Sequence, residues 1–193
     1  MTRFDTVFIN QGDKHGLTIG QEFRILHPVR QIRDPRTGAS LGWLVQVVGR
    51  LRTDCLQKET ATGRIIHSYG FAAVGDRLEP YMPVTVPAQH FLASKLSGPC
   101  VPSSRGSAAR MLASRDDRNQ IAEGDVVYLD RGLDSGVAPG TRLAVYRQGL
   151  PGNDRGTYLV GELQVLLSQN TTATALVTNS IHRLSLGDQV ATW

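Results

Sequence analysis

The sequence predicts an all-β protein built from two tandem copies of one small barrel module, joined by a proline-rich linker. Three observations predict it: an internal repeat, many short runs of β-branched and aromatic residues between Gly/Asp turns, and almost no helical periodicity.

The repeat is read first. Residues 6–26 (TVFINQGDKHGLTIGQEFRIL) align with residues 126–146 (VVYLDRGLDSGVAPGTRLAVY) at a constant offset of 120. Gly12, Gly16 and Gly20 fall on Gly132, Gly136 and Gly140, and Val7, Phe8, Ile9, Leu17, Phe23 and Ile25 fall on apolar residues. Further along the offset becomes 112: Gly49-Arg50-Leu51 matches Gly161-Glu162-Leu163, and Gly75-Asp76-Arg77-Leu78 matches Gly187-Asp188-Gln189-Val190. The difference is an eight-residue insertion in the first copy between Leu26 and Gly49, carrying the turn Arg33-Asp34-Pro35-Arg36-Thr37-Gly38. Length variation of this kind belongs at a hairpin tip.

Thr6–Asn10 and Glu22–Leu26 read as strands around the glycine loop, whose glycines sit where positive φ or close backbone approach is needed. Further strands are expected at Leu41–Val48, Leu51–Gln57, Thr60–Ile66 and Asp76–Glu79, and in the second copy at Ala108–Ser114, Val126–Asp130, Leu159–Leu167, Thr172–Thr178 and Gln189–Thr192. Many short strands of this kind suit a small SH3-like barrel or a sandwich, and closure removes exposed edges. The second copy has a strand ahead of its glycine motif; the first starts almost on the motif. The first copy is therefore expected to lack its first strand or to borrow it, with residues upstream of Met1 in the natural protein.

Five of the nine prolines lie between Pro80 and Pro102. The domains are accordingly a first module at 1–80, a linker at 81–105 and a second module at 106–193. Ala88–Leu96 forms a candidate short helix in the linker. The apolar Phe91, Leu92 and Leu96 argue that this segment packs on a module or a neighbouring subunit, and Phe91 and Leu92 are candidate partner-binding residues.

The net charge is only +4, concentrated in the first 80 residues, which carry 11 Lys/Arg against 8 Asp/Glu. That is sparser than the basic stripe of a nucleic-acid binder, and no nucleic-acid partner is expected. No apolar run is long enough to cross a membrane. The first residues contain no apolar signal-peptide core, which read literally means a cytosolic protein; the repeat favours a fragment. Cys55 and Cys100 match no zinc or redox spacing, and the second copy has Leu167 in place of Cys55. Two unrelated thiols and a disulfide are both compatible with that; oxidation in a periplasm would allow the two to pair.

None of the nucleophile-elbow, P-loop or zinc-protease patterns occurs. His15, His27, His67, His90 and His182 are scattered, and Ser135 replaces His15 in the second copy. Asp76 and Asp188 recur after glycine and read as turn formers rather than as an acid or base. No catalytic residue, cofactor site or metal site is expected, and the chain is read as not an enzyme. Arg30, Arg33 and Arg36, all in the first copy's insertion, are the candidate surface for an acidic partner, with Pro28–Gly42 as the contact. Trp43 fits either a core or a surface position.

The runs VFINQGDKHGLTIGQEFRIL, RDPRTGASLGWLVQVVGRL, ATGRII and VGDRL resemble the C-terminal region of LysM-containing type IV pilus secretin-associated proteins. That region is related to the C-terminal domain of the flagellar T protein. The resemblance covers both copies. It implies a non-enzymatic periplasmic component of the cell envelope, present in several copies around the pilus secretin or a similar ring. It implies attachment to peptidoglycan through a LysM domain that lies outside this chain. The expectation from another class is a β-barrel that binds polyanions or glycans.

Overall fold

In a computed structural model, residues 1–85, 109–149 and 157–192 are described. The chain is all-β, with a five-stranded sheet and a closed six-stranded barrel. It divides into two compact units, Met1–Ile32 with Leu41–Val84, and Arg33–Ser40 with Thr85–Trp193. Among the described residues, no helix is long and apolar enough to cross a membrane.

The sheet of the first unit contains β1 (Thr6–Ile9), β2 (Glu22–Arg33), β3 (Ser40–Leu56), β4 (Ala61–Ser68) and β5 (Arg77–Pro80). Their order is β1-β4-β3-β2-β5, so β1 and β5 are its two edges. Ile9, Phe23, Ile25, Val48, Leu51 and Ile65 form the core, with Val7 and Leu78 only partly buried against it. The two strands expected at Leu41–Val48 and Leu51–Gln57 are one, because Gly49 is not a turn. It lies in the strand where a Cβ would sit 2.7 Å from the His67 carbonyl oxygen, and the register slips just after it, between Arg50 and Leu51. A glycine inside a strand marks close backbone approach here.

The barrel of the second unit contains β6 (Ala109–Ser114), β7 (Val126–Leu129), β8 (Arg142–Gln148), β9 (Thr157–Ser168), β10 (Ala173–Ser180) and β11 (Gln189–Thr192). Its order, β10-β7-β6-β11-β8-β9, closes on itself. Met111, Val127, Leu129, Leu143, Val145, Leu163, Val165, Val177 and Val190 fill the interior.

The repeat in sequence is a repeat in backbone pairing. Thr6 faces Arg64 and Ile9 faces Ala61; Val126 faces Leu176 and Leu129 faces Ala173. Both register slips of the β3–β4 pair recur in the β9–β10 pair, at the same alignment positions. The glycine loops agree as well. A Cβ at Gly12 would overlap the Gln57 carbonyl oxygen, and one at Gly132 would overlap that of Gln169. Gly16 and Gly136 stop the 3-10 turns at φ of 81° and 76°, a backbone region open to glycine at little cost. Gly20 and Gly140 have φ of 82° and 87°.

Among the described residues the two units differ by one strand. Nothing among the described residues of the first unit takes the place of β6. Met1 occupies the position of Ile121: its ammonium group donates to the Ala72 carbonyl at 3.1 Å, as the Ile121 N–H does to Leu184 at 3.2 Å.

Candidate functional site

The eight-residue insertion lengthens β2 and β3 beyond their sheet neighbours. β5 pairs with Phe23–Leu26 of β2, and β4 pairs with Gly49–Leu56 of β3. The remainder of the hairpin is a ribbon without a further partner strand among the described residues. On β3, Leu41, Trp43, Val45 and Val47 share one face by the two-residue period of a strand, and all are exposed, Trp43 at 63%. Val48 and Leu51, within the sheet, are buried. Trp43 is therefore a surface residue. Its position was open in the sequence because Leu44, its neighbour on the opposite face, is apolar too.

Arg30 and Arg33 lie on β2 and Arg36 in the turn that follows. An odd separation puts Arg30 and Arg33 on opposite faces of the strand, and the burial pattern agrees: Arg30 and Ile32 are half-buried, Val29, Gln31 and Arg33 exposed. The Arg33 guanidinium donates to the Gly38 carbonyl at 3.3 Å. The backbone N–H groups of Arg36 and Thr37 donate to Asp34 Oδ1 at 2.8 and 3.0 Å. Those two bonds hold the Asp34 carboxyl below its ordinary pKa. The three arginines thus ride on an ordered hairpin end, but not on one strand face. Phe91 and Leu92, the candidate helix Ala88–Leu96, Cys100 and nearly all of the Gly149–Gly156 loop lie outside the described residues. Cys55 is an exposed free thiol.

The recurring aspartates form turns, and each also meets a basic side chain. Asp76 Oδ2 accepts the Ala73 N–H at 2.8 Å, and Asp188 Oδ2 accepts the Ser185 N–H at 2.8 Å. Asp76 Oδ1 lies 2.7 Å from His27 Nδ1. Asp188 takes a two-pronged bond from Arg147, both contacts at 2.8 Å, which holds the guanidinium above its ordinary pKa. His27 and Arg147 are themselves aligned in the repeat, so the same contact is made twice, by an imidazole in one unit and a guanidinium in the other. His15 Nδ1 accepts the Gly12 N–H at 3.1 Å, within its own turn. Among the described residues, no group of three or more His, Cys, Asp or Glu side chains could hold a metal ion.

Fold and surface together define a tandem all-β protein with an exposed apolar ribbon face beside arginines. No family model matches the sequence, and no curated protein matches it.

Proposed function

We propose that the chain is a non-enzymatic protein-binding component of the bacterial cell envelope that associates with the type IV pilus secretin, in several copies around the ring. The observation that carries the reading is the exposed strand face Leu41, Trp43, Val45 and Val47, with Arg30, Arg33 and Arg36 on the same hairpin. Aromatic residues and arginine are enriched where proteins meet, and contiguous exposed apolar surface marks such sites. The resemblance to secretin-associated proteins supplies the partner, the periplasmic location and the link to peptidoglycan through a LysM domain outside this chain. Around a symmetric ring, one modest contact repeated many times holds through avidity. Pull-down from envelope extract, with and without the pilus secretin, tests it. The secretin is expected to be captured, and Arg30→Ser/Arg33→Ser/Arg36→Ser is expected to weaken capture with the unfolding midpoint unchanged. Absence of the secretin from the captured material would refute the partner, and normal capture by the triple variant would refute the contact.

A second reading, a polyanion- or glycan-binding barrel, is favoured by Trp43 alone, whose exposed indole offers a stacking face. A change in indole fluorescence on adding soluble peptidoglycan fragments or polyphosphate, lost in Trp43→Ser, would select it.

A further inference from the structure

We propose that the turn Asp34–Gly38, at the tip of the eight-residue insertion, is an intrachain clasp that docks on the corner of the second unit formed by Arg110 of β6 and the Gly187 turn. The contact is made within this chain and is independent of the secretin reading.

The turn holds its own shape before it meets anything. Asp34 N–H donates to the Ala39 carbonyl and Gly38 N–H to the Asp34 carbonyl, both at 2.8 Å. Gly38 supplies the left-handed residue, with φ of 71°. The Arg36 and Thr37 N–H groups occupy Asp34 Oδ1, which leaves Oδ2 to point outward from the turn. Oδ2 lies 3.9 Å from Arg110 Nη1. The same guanidinium lies 3.6 Å, through Nε, from Asp130 Oδ2, and the Arg110 backbone N–H donates to Asp130 Oδ1 at 2.7 Å. One arginine thus stands between two carboxylates, and Asp130 fixes its base. The Asp34 side chain is only 16% exposed, although Pro35, Arg36 and Thr37 beside it are exposed.

An apolar contact accompanies the charges. Gly187 N–H donates to the Met111 carbonyl at 2.8 Å, so the Gly187 turn adjoins β6 just past Arg110. A Cβ at Gly187 would meet Pro35 Cγ at 3.7 Å, ordinary van der Waals contact. At Gly75, the aligned glycine of the first copy, a Cβ would meet nothing within 4 Å. Arg33–Ser40 accordingly falls in the same compact unit as Thr85–Trp193. An ion pair this open to solvent is weak alone. It suffices here because the turn is preformed and proline-stiffened, so docking costs little conformational freedom. The second copy lacks the insertion and with it the clasp.

The test uses the purified full chain and NMR. In the unaltered chain a nuclear Overhauser cross-peak between the Pro35 side-chain protons and the Gly187 α-protons is expected, at the same relative strength at every chain concentration. Arg110→Ala, remote in sequence from the turn, is expected to weaken the cross-peak and to speed amide exchange at Arg36 and Thr37 about two- to fivefold, the range of a partly exposed ion pair. Asp34→Asn keeps the acceptor oxygen of the turn but removes its charge, and is expected to weaken the cross-peak as well. Exchange at Val127 and Val177 reports whether the barrel stays folded. Should Arg110→Ala unfold it, Asp34→Asn reads the same contact from the other side. Absence of the cross-peak in the unaltered chain, or a cross-peak that survives Asp34→Asn unchanged, would overturn the proposal. So would a cross-peak that grows with chain concentration, which would seat the turn on a second copy.

Discussion

At the scale of single residues, the two copies share an ion pair with its polarity reversed. Glu22 pairs with Arg50 in the first unit; at the aligned positions of the second, Arg142 pairs with Glu162 at 3.0 Å. Glu162 is wholly buried, and its Oε1 has no hydrogen-bond partner among the described residues, so its charge depends on Arg142. The Arg50 guanidinium also stacks 3.6 Å from the centre of the Tyr81 ring. Breaking a buried pair from one side costs about 3–5 kcal/mol because the remaining charge is left without compensation. Arg142→Ala is expected to destabilise the second unit on that order in denaturant titrations. The reversed pair Arg142→Glu/Glu162→Arg is expected to regain most of the loss, since the first unit carries that arrangement on the same backbone. Equal loss in the single and reversed variants would show that the pairing of these two positions does not carry the stability.

At the scale of elements, β3 has two regimes along its 17 residues. From Gly49 onward it is a sheet strand with a buried face; before that it belongs to the hairpin ribbon. Leu51 is buried at 1% exposure, and its truncation leaves a cavity. Leu51→Ala is therefore expected to cost about 2–5 kcal/mol. Trp43→Ser removes a larger side chain from the surface and is expected to change stability by no more than about 0.5 kcal/mol. Denaturant unfolding of both variants checks the contrast. A cost for Trp43→Ser as large as that for Leu51→Ala would mean that the ribbon face is covered.

At the scale of the whole molecule, the units share a register but not a closure. A small module gains much from each additional covered side chain, and an edge strand opens more readily than one paired on both sides. Amide exchange of the isolated chain is therefore expected to be faster in β1 than in β7, and faster in β5 than in β11. The contrast should be greatest at Phe8 against Tyr128. Equal rates would indicate that the first unit is closed.

The sequence by itself determined the repeat, the strand content, the roles of the loop glycines and the hairpin nature of the insertion. Each of these follows from local rules: backbone conformations that suit glycine, turn chemistry, and the two-residue period of a strand. The side-chain partners of Asp76 and Asp188 were not legible, because His27 and Arg147 lie 49 and 41 residues away in sequence. Nor was the exposure of Trp43, since both faces of Leu41–Val47 carry apolar residues and alternation alone cannot say which one faces solvent. Only the tertiary structure decided that the strand at Gly49 continues and that one sheet stays open where the other closes. Those outcomes depend on which strands become neighbours, and strand neighbours are set by contacts between residues distant in the chain.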